Sequence, residues 1–124
     1  ITPQLDVLIQ NAYRNSKGYQ KIAIPTMEGI SFFETDDLIH LDAESNYTML
    51  YFTQNRKILA SKTLKEFEEQ LPTDRFFRIH HSHIVNLKFI VKYIKGEGGQ
   101  LIMENGKSLD VSRRKKGDLI QKLI

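Results

Sequence analysis

The stretch RFFRIHHSHIVNLKFI, residues 75–90, crowds His80, His81 and His83 into four positions, with Arg75 and Arg78 before them and an apolar run after. Histidines so spaced suit three chemistries: metal ligation, general-base work, or donation of hydrogen bonds to an anionic partner. Side chains alternate in an extended segment, so His81 and His83 share one face while His80 points the other way, and at most two of them can meet one ion. The remaining histidine, His40, falls at an apolar-patterned strand position, and carboxylates are scarce in the sequence around the cluster. With no cysteine in the chain, neither a metal site nor a cofactor is expected.

Catalysis fares no better. A histidine base needs a hydroxyl and an orienting carboxylate, and Ser82 offers only sequence neighbourhood. The Gly96, Gly98 and Gly99 cluster lacks the lysine of a phosphate loop and leads into a strand rather than a helix, so a turn is the expected reading. No pair of titratable groups is spaced for acid and base roles, and an enzyme is not expected.

What remains is a polar strip of Arg78, His81, Ser82, His83 and Asn86, backed by Phe76, Phe77, Ile79, Ile84, Val85 and Leu87. Donors on such a support fit phosphate oxygens and the acceptor-rich major-groove edge of guanine. A second constellation, Arg113, Arg114, Lys115 and Lys116, opens the terminal segment capped by Ser112. Four cations at a helix start are unfavourable unless an anion faces them. A third, Glu44-Ser45-Asn46-Tyr47-Thr48, is a polar insertion between apolar strands and is rich in groups that bond bases or phosphates. The net charge of +3 is unevenly spread: residues 1–74 hold seven Lys/Arg against eleven Asp/Glu, and residues 75–124 hold eleven against four. A polyanion would dock on the second half.

These groups must be carried by β-structure. From Lys21 the pattern takes a period of two in KIAIPT, GISFFE, LIHLD and YTMLYFT, closely spaced strand signals. Gln54-Asn55 reads as a tight turn before RKILAS, and Asn105-Gly106 between alternating segments is the strongest hairpin signal. Thr63-Leu64-Lys65-Glu66 has the form of a capping box opening the helix LKEFEEQL, which Pro72 ends. The phenylalanines lie within apolar patterns, so most belong to the core rather than to stacking platforms for single strands.

At 124 residues the chain suits one domain. Leu5, Leu8, Ile9 and Ala12 share a helical stripe before Gly18, so residues 1–19 are expected to form a lead-in helix or linker and residues 20–124 the domain proper. The sequence begins at Ile1 rather than Met, and a longer parent polypeptide is expected. No apolar run approaches the roughly 20 residues needed to span a bilayer, so a soluble, cytoplasmic setting without membrane contact is expected.

Four pieces, LIHLDAESNYTMLYFT, TLKEFEEQL, FFRIHHSHIVNLKFI and LDVSRRKKGDL, with the core Phe-x-Arg-x-His-x-Ser-x-x-Val-Asn, resemble the LytTR-type DNA-binding domain. That family supplies the output module that typically follows a receiver domain in bacterial response regulators, and the resemblance covers nearly everything after Lys21. It implies a mainly β fold of about ten mostly antiparallel strands in small stacked sheets with a few short helices. Loops at one edge would enter successive major grooves of double-stranded DNA with repeated half-sites, which allows a dimer on DNA. It further implies base contacts by Thr48, His81 and Arg114, and backbone or positioning contacts by Asn46, Tyr47, Ser82, Arg113 and Lys115. His80 matches the histidine that recurs in the family core and takes a buried hydrogen-bonding role, while His83 is open between the two. The implied function is sequence-specific DNA binding in transcription regulation. The alternative is a non-enzymatic β-rich protein-interaction or ligand-sensing module with a basic surface.

Overall fold

The computed structural model describes residues 21–124, and the lead-in helix expected over residues 1–19 lies outside them. The described chain forms ten strands and two α-helices, with strand pairs all antiparallel: β1 (Lys21–Thr26), β2 (Gly29–Glu34), β3 (Leu38–Glu44), β4 (Tyr47–Phe52), β5 (Lys57–Ala60), α1 (Leu64–Gln70), β6 (Phe76–His80), β7 (His83–Asn86), β8 (Ile90–Ile94), β9 (Gln100–Met103), β10 (Ser108–Asp110) and α2 (Arg113–Leu123). They make a five-stranded sheet in the order β5-β4-β3-β7-β6, a three-stranded sheet β10-β9-β8 and the ribbon β1-β2. The mainly β expectation with about ten strands holds.

The five-stranded sheet is apolar on both faces. On one face Leu38, Leu41, Leu50, Phe52, Phe76 and Ile84 pack against Ile22 and Ile24 of the ribbon and Leu64 and Phe67 of α1. On the other, Ile39, Ile79 and Val85 pack against Leu101, Met103 and Leu109 of the small sheet and Leu119 of α2. Strands covered on both sides lose simple alternation, as LIHL in β3 does. A register shift between Leu38 and His40 lets both Leu38 and Leu41 reach the first core.

Local signals account for the connections. Thr63 and Glu66 form the full capping box on α1, and the two hydrogen bonds from the Thr63 backbone and hydroxyl hold the Glu66 carboxyl below its ordinary range. Gln54 and Asn55 both adopt positive φ in the β4–β5 turn, and Gly106 does so between β9 and β10, as hairpin turns require. Of the phenylalanines, Phe52, Phe67, Phe76 and Phe89 are buried, Phe33 and Phe77 partly so, and Phe32 is exposed.

Candidate nucleic-acid interface

The histidine stretch is a hairpin rather than one extended segment. His81 and Ser82 form the turn between β6 and β7, and His80 pairs directly with His83. That corrects the expected division of faces: the His80 ring lies 4.2 Å from that of His81 and 5.4 Å from that of His83. Side chains do the work that glycine or asparagine does in other tight turns. Arg78 donates from Nε to the His80 carbonyl and from Nη2 to the His81 carbonyl, and the Ser82 N-H donates to His80 Nδ1 at 3.1 Å. Arg78 also pairs with Glu68 of α1 at 2.9 Å, so it braces the turn instead of presenting free donors. Asn86, also expected in the strip, is buried and donates to the Leu38 carbonyl. His80 is half-buried rather than fully so.

Behind the turn, Asp42 of β3 accepts from Nδ1 of both His40 at 3.0 Å and His83 at 2.9 Å. Burial disfavours its charge, but the two imidazole hydrogen bonds and their charges prevail and hold its pKa at about 2. The Lys107 N-H occupies Asn105 Oδ1, which leaves Asn105 Nδ2 to face Nε2 of the fully buried His40 at 3.1 Å. His40 Nε2 is therefore an acceptor, and its proton sits on Nδ1 toward Asp42. His83 is thus tied into the support. Among the described residues no group of three or more His, Cys, Asp or Glu is arranged to hold a metal ion.

Two backbone hydrogen bonds gather the three sequence constellations. The Ala43 N-H donates to the Ser82 carbonyl at 2.8 Å, joining the end of β3, just before its turn into β4, to the histidine turn. The Ser112 N-H donates to the Ile79 carbonyl at 2.9 Å, joining the start of α2 to β6. Glycine is required where the β8–β9 loop passes the segment leading into α2: a Cβ on Gly98 would lie 1.9 Å from the Val111 carbonyl oxygen. His81, Ser112, Arg114 and Lys115 consequently line one open depression of about 410 Å³ with His80, Arg78 and Glu68.

The individual site residues fare differently. Asn46, Tyr47, His81, Arg113 and Arg114 are exposed, and Ser82 and Lys115 are partly so. Thr48 is fully buried, and its hydroxyl donates to the Lys62 carbonyl at 2.7 Å. A base contact by Thr48 is therefore corrected: it shares the inward face of β4 with Leu50 and Phe52. Ser112 occupies the N-cap position of α2 but its side chain makes no cap bond. Of the basic run, Arg113 pairs with Glu97 at 2.9 Å, Lys116 donates to the Gly96 carbonyl, and the Lys115 ammonium lies 5.7 Å from the Phe77 ring centroid. The Arg114 guanidinium has no partner among the described residues.

Comparison with known proteins bears on the family and the fold. The LytTr DNA-binding domain family matches residues 28–124. The chain is similar to the sensory transduction protein LytT of Bacillus subtilis, 29% identical over 109 residues that cover 86% of this chain and 44% of that protein. It is also similar to the CO-responsive transcriptional regulator RcoM of Rhodospirillum rubrum, 33% identical over 91 residues covering 72% of this chain and 38% of that protein. The chain thus spans less than half the length of these relatives. A solved LytTr DNA-binding domain of a response regulator from Bacillus cereus superposes with a TM-score of 0.72 at 26% identity, covering 83% of this chain and 95% of that one.

Proposed function

The chain belongs to the LytTR DNA-binding domain family, and on that premise we propose that it recognises specific sequences in double-stranded DNA to regulate transcription. In this reading His81 and Arg114 reach base edges, with Asn46 taking the part that buried Thr48 leaves. Tyr47, Ser82, Arg113 and Lys115 hold phosphates and set the register. Phosphate contacts position a protein on the duplex, whereas donors aimed at base edges supply the preference.

The observation that carries the reading is the joining of three polar segments by the Ala43–Ser82 and Ser112–Ile79 backbone bonds, with the unpaired Arg114 guanidinium among them. Tight turns and a helix start held on one edge can follow a groove without the strands entering it. Arginine is also the side chain best suited to a bidentate contact with guanine.

The domain works in the cytoplasm as the output part of a longer response regulator, with a receiver domain upstream supplying the input. Two copies on repeated half-sites about one helical turn apart would read DNA as a dimer. Neither a cofactor nor a catalytic role is part of this reading.

Selection from a random duplex library at moderate salt, followed by sequencing, tests it. The expected result is a motif repeated at about 10 base pairs, with affinity that falls steeply with salt. Salt-sensitive binding with no enriched motif would overturn the sequence-specific reading and favour a basic interaction module.

A further inference from the structure

The β6–β7 turn depends on a histidine acting as an acceptor. The Ser82 N-H donates to His80 Nδ1 at 3.1 Å, a bond that only an unprotonated Nδ1 can accept, so the ring here is the neutral Nε2-H tautomer. His83 differs, because its Nδ1 donates to Asp42 in the neutral and cationic forms alike.

Groups on every side of the His80 ring decide how readily it takes a proton. Arg78 lies on its own strand, His81 in the turn, His83 on β7, and Asp110 on β10. Glu68 of α1 is engaged by Arg78, and Arg114 and Lys115 of α2 line the same depression. Burial comes first in holding its pKa below the ordinary histidine value, the charges of His81, His83 and Arg78 add to it, and Asp110 alone opposes.

We propose that His80 is a positioning residue that makes DNA binding pH-dependent: the neutral ring holds the turn that presents His81 and Ser82, and protonation releases it. A proton on Nδ1 sets a donor against the Ser82 N-H, and the turn must rearrange. This deepens the DNA-binding reading and rests on it. The predicted sign is distinctive, because a cationic His81 near phosphates would by itself raise affinity in acid.

The test measures affinity of the chain for its selected duplex at constant ionic strength, with His80→Asn as the key variant. Asparagine Oδ1 takes the place of Nδ1 as an acceptor that does not titrate. Apparent affinity scales with the binding-competent fraction, so a loss of about threefold to tenfold is expected between about pH 7.5 and about pH 5. With each pH point referred to the variant's own affinity at neutral pH, His80→Asn should lack that loss. A flat or rising wild-type profile overturns the proposal, as does an undiminished acid loss in His80→Asn.

Should that variant fold poorly, NMR of the wild-type imidazoles keeps the question decidable. The expected result is the Nε2-H tautomer for His80 and a Ser82 amide resonance that titrates with the ring. An Nδ1-H tautomer, or a Ser82 amide indifferent to His80 protonation, overturns the proposal. A chain that binds no duplex selectively at neutral pH sinks the DNA reading and this proposal together; selective binding without acid loss sinks this proposal alone.

Discussion

The Ser112 N-H donates to the Ile79 carbonyl at 2.9 Å, which ties the residue before α2 to the strand that ends at the histidine turn. Arg114, two residues into the chain beyond that bond, and His81, two residues beyond its acceptor, are thereby brought to one depression.

Arg114→Ala is expected to cost roughly 1 to 3 kcal/mol on the selected duplex and to relax preference at one base position. Lys115→Ala should weaken selected and random duplexes about equally. Titrations of both variants on both duplexes check this, and equal losses for Arg114→Ala on the two would remove its base-reading role.

The β3–β4 turn sets buried Thr48 beside exposed Asn46, so the proposed recognition role and the supporting role can be tested apart. Thr48→Val leaves the Lys62 carbonyl without its partner and should cost about 1 to 3 kcal/mol of stability while leaving the preferred DNA motif intact. Asn46→Ala should do the reverse, weakening DNA binding with thermal unfolding unchanged. A shifted motif in Thr48→Val would restore it as a reader.

Asp42 links the support to pH. Its pKa is lowered from 3.8 to about 2, so its stabilisation is fully present above the unfolded value and lost as pH falls through the folded one. The contribution is about 2 kcal/mol. Urea unfolding of wild type and Asp42→Asn at several pH values should show the wild-type advantage shrinking below about pH 4; a constant difference would contradict a carboxylate held ionised by its two imidazole donors.

The seating of α2 rests on few contacts. Leu119 is its one buried residue, and an eleven-residue helix is marginal without tertiary support. Leu119→Ala should cost about 2 to 5 kcal/mol and lower DNA affinity beyond what stability explains. Circular dichroism beside binding titration separates the two effects, and unchanged affinity in a folded variant would show that α2 needs no such anchor.

Much of this was legible in the sequence, for local reasons. Thr63 and Glu66 announce α1, Asn105-Gly106 announces its hairpin, and period-two patterns mark most strands. The burial of Thr48 was also legible, since Thr48, Leu50 and Phe52 fall on one parity of β4. The His81-Ser82 turn was not: it lacks glycine, asparagine and proline, and neither residue has a positive φ. Its shape comes from Arg78 and His80, whose role appears only once the strands pair. Asp42 gives no local signal for a similar reason, because its partner His83 lies 41 residues away and meets it only through the β3–β7 register.

The two backbone bonds that gather the contact segments have a consequence for how such a domain can change. Ala43, Ser82, Ile79 and Ser112 contribute main-chain atoms alone to them, so they survive replacement of the neighbouring exposed side chains. Positions 46, 81 and 114 can therefore be exchanged among polar residues with the chassis left standing. If these positions read DNA as proposed, new target sequences would be reachable by single steps, each passing through a folded intermediate.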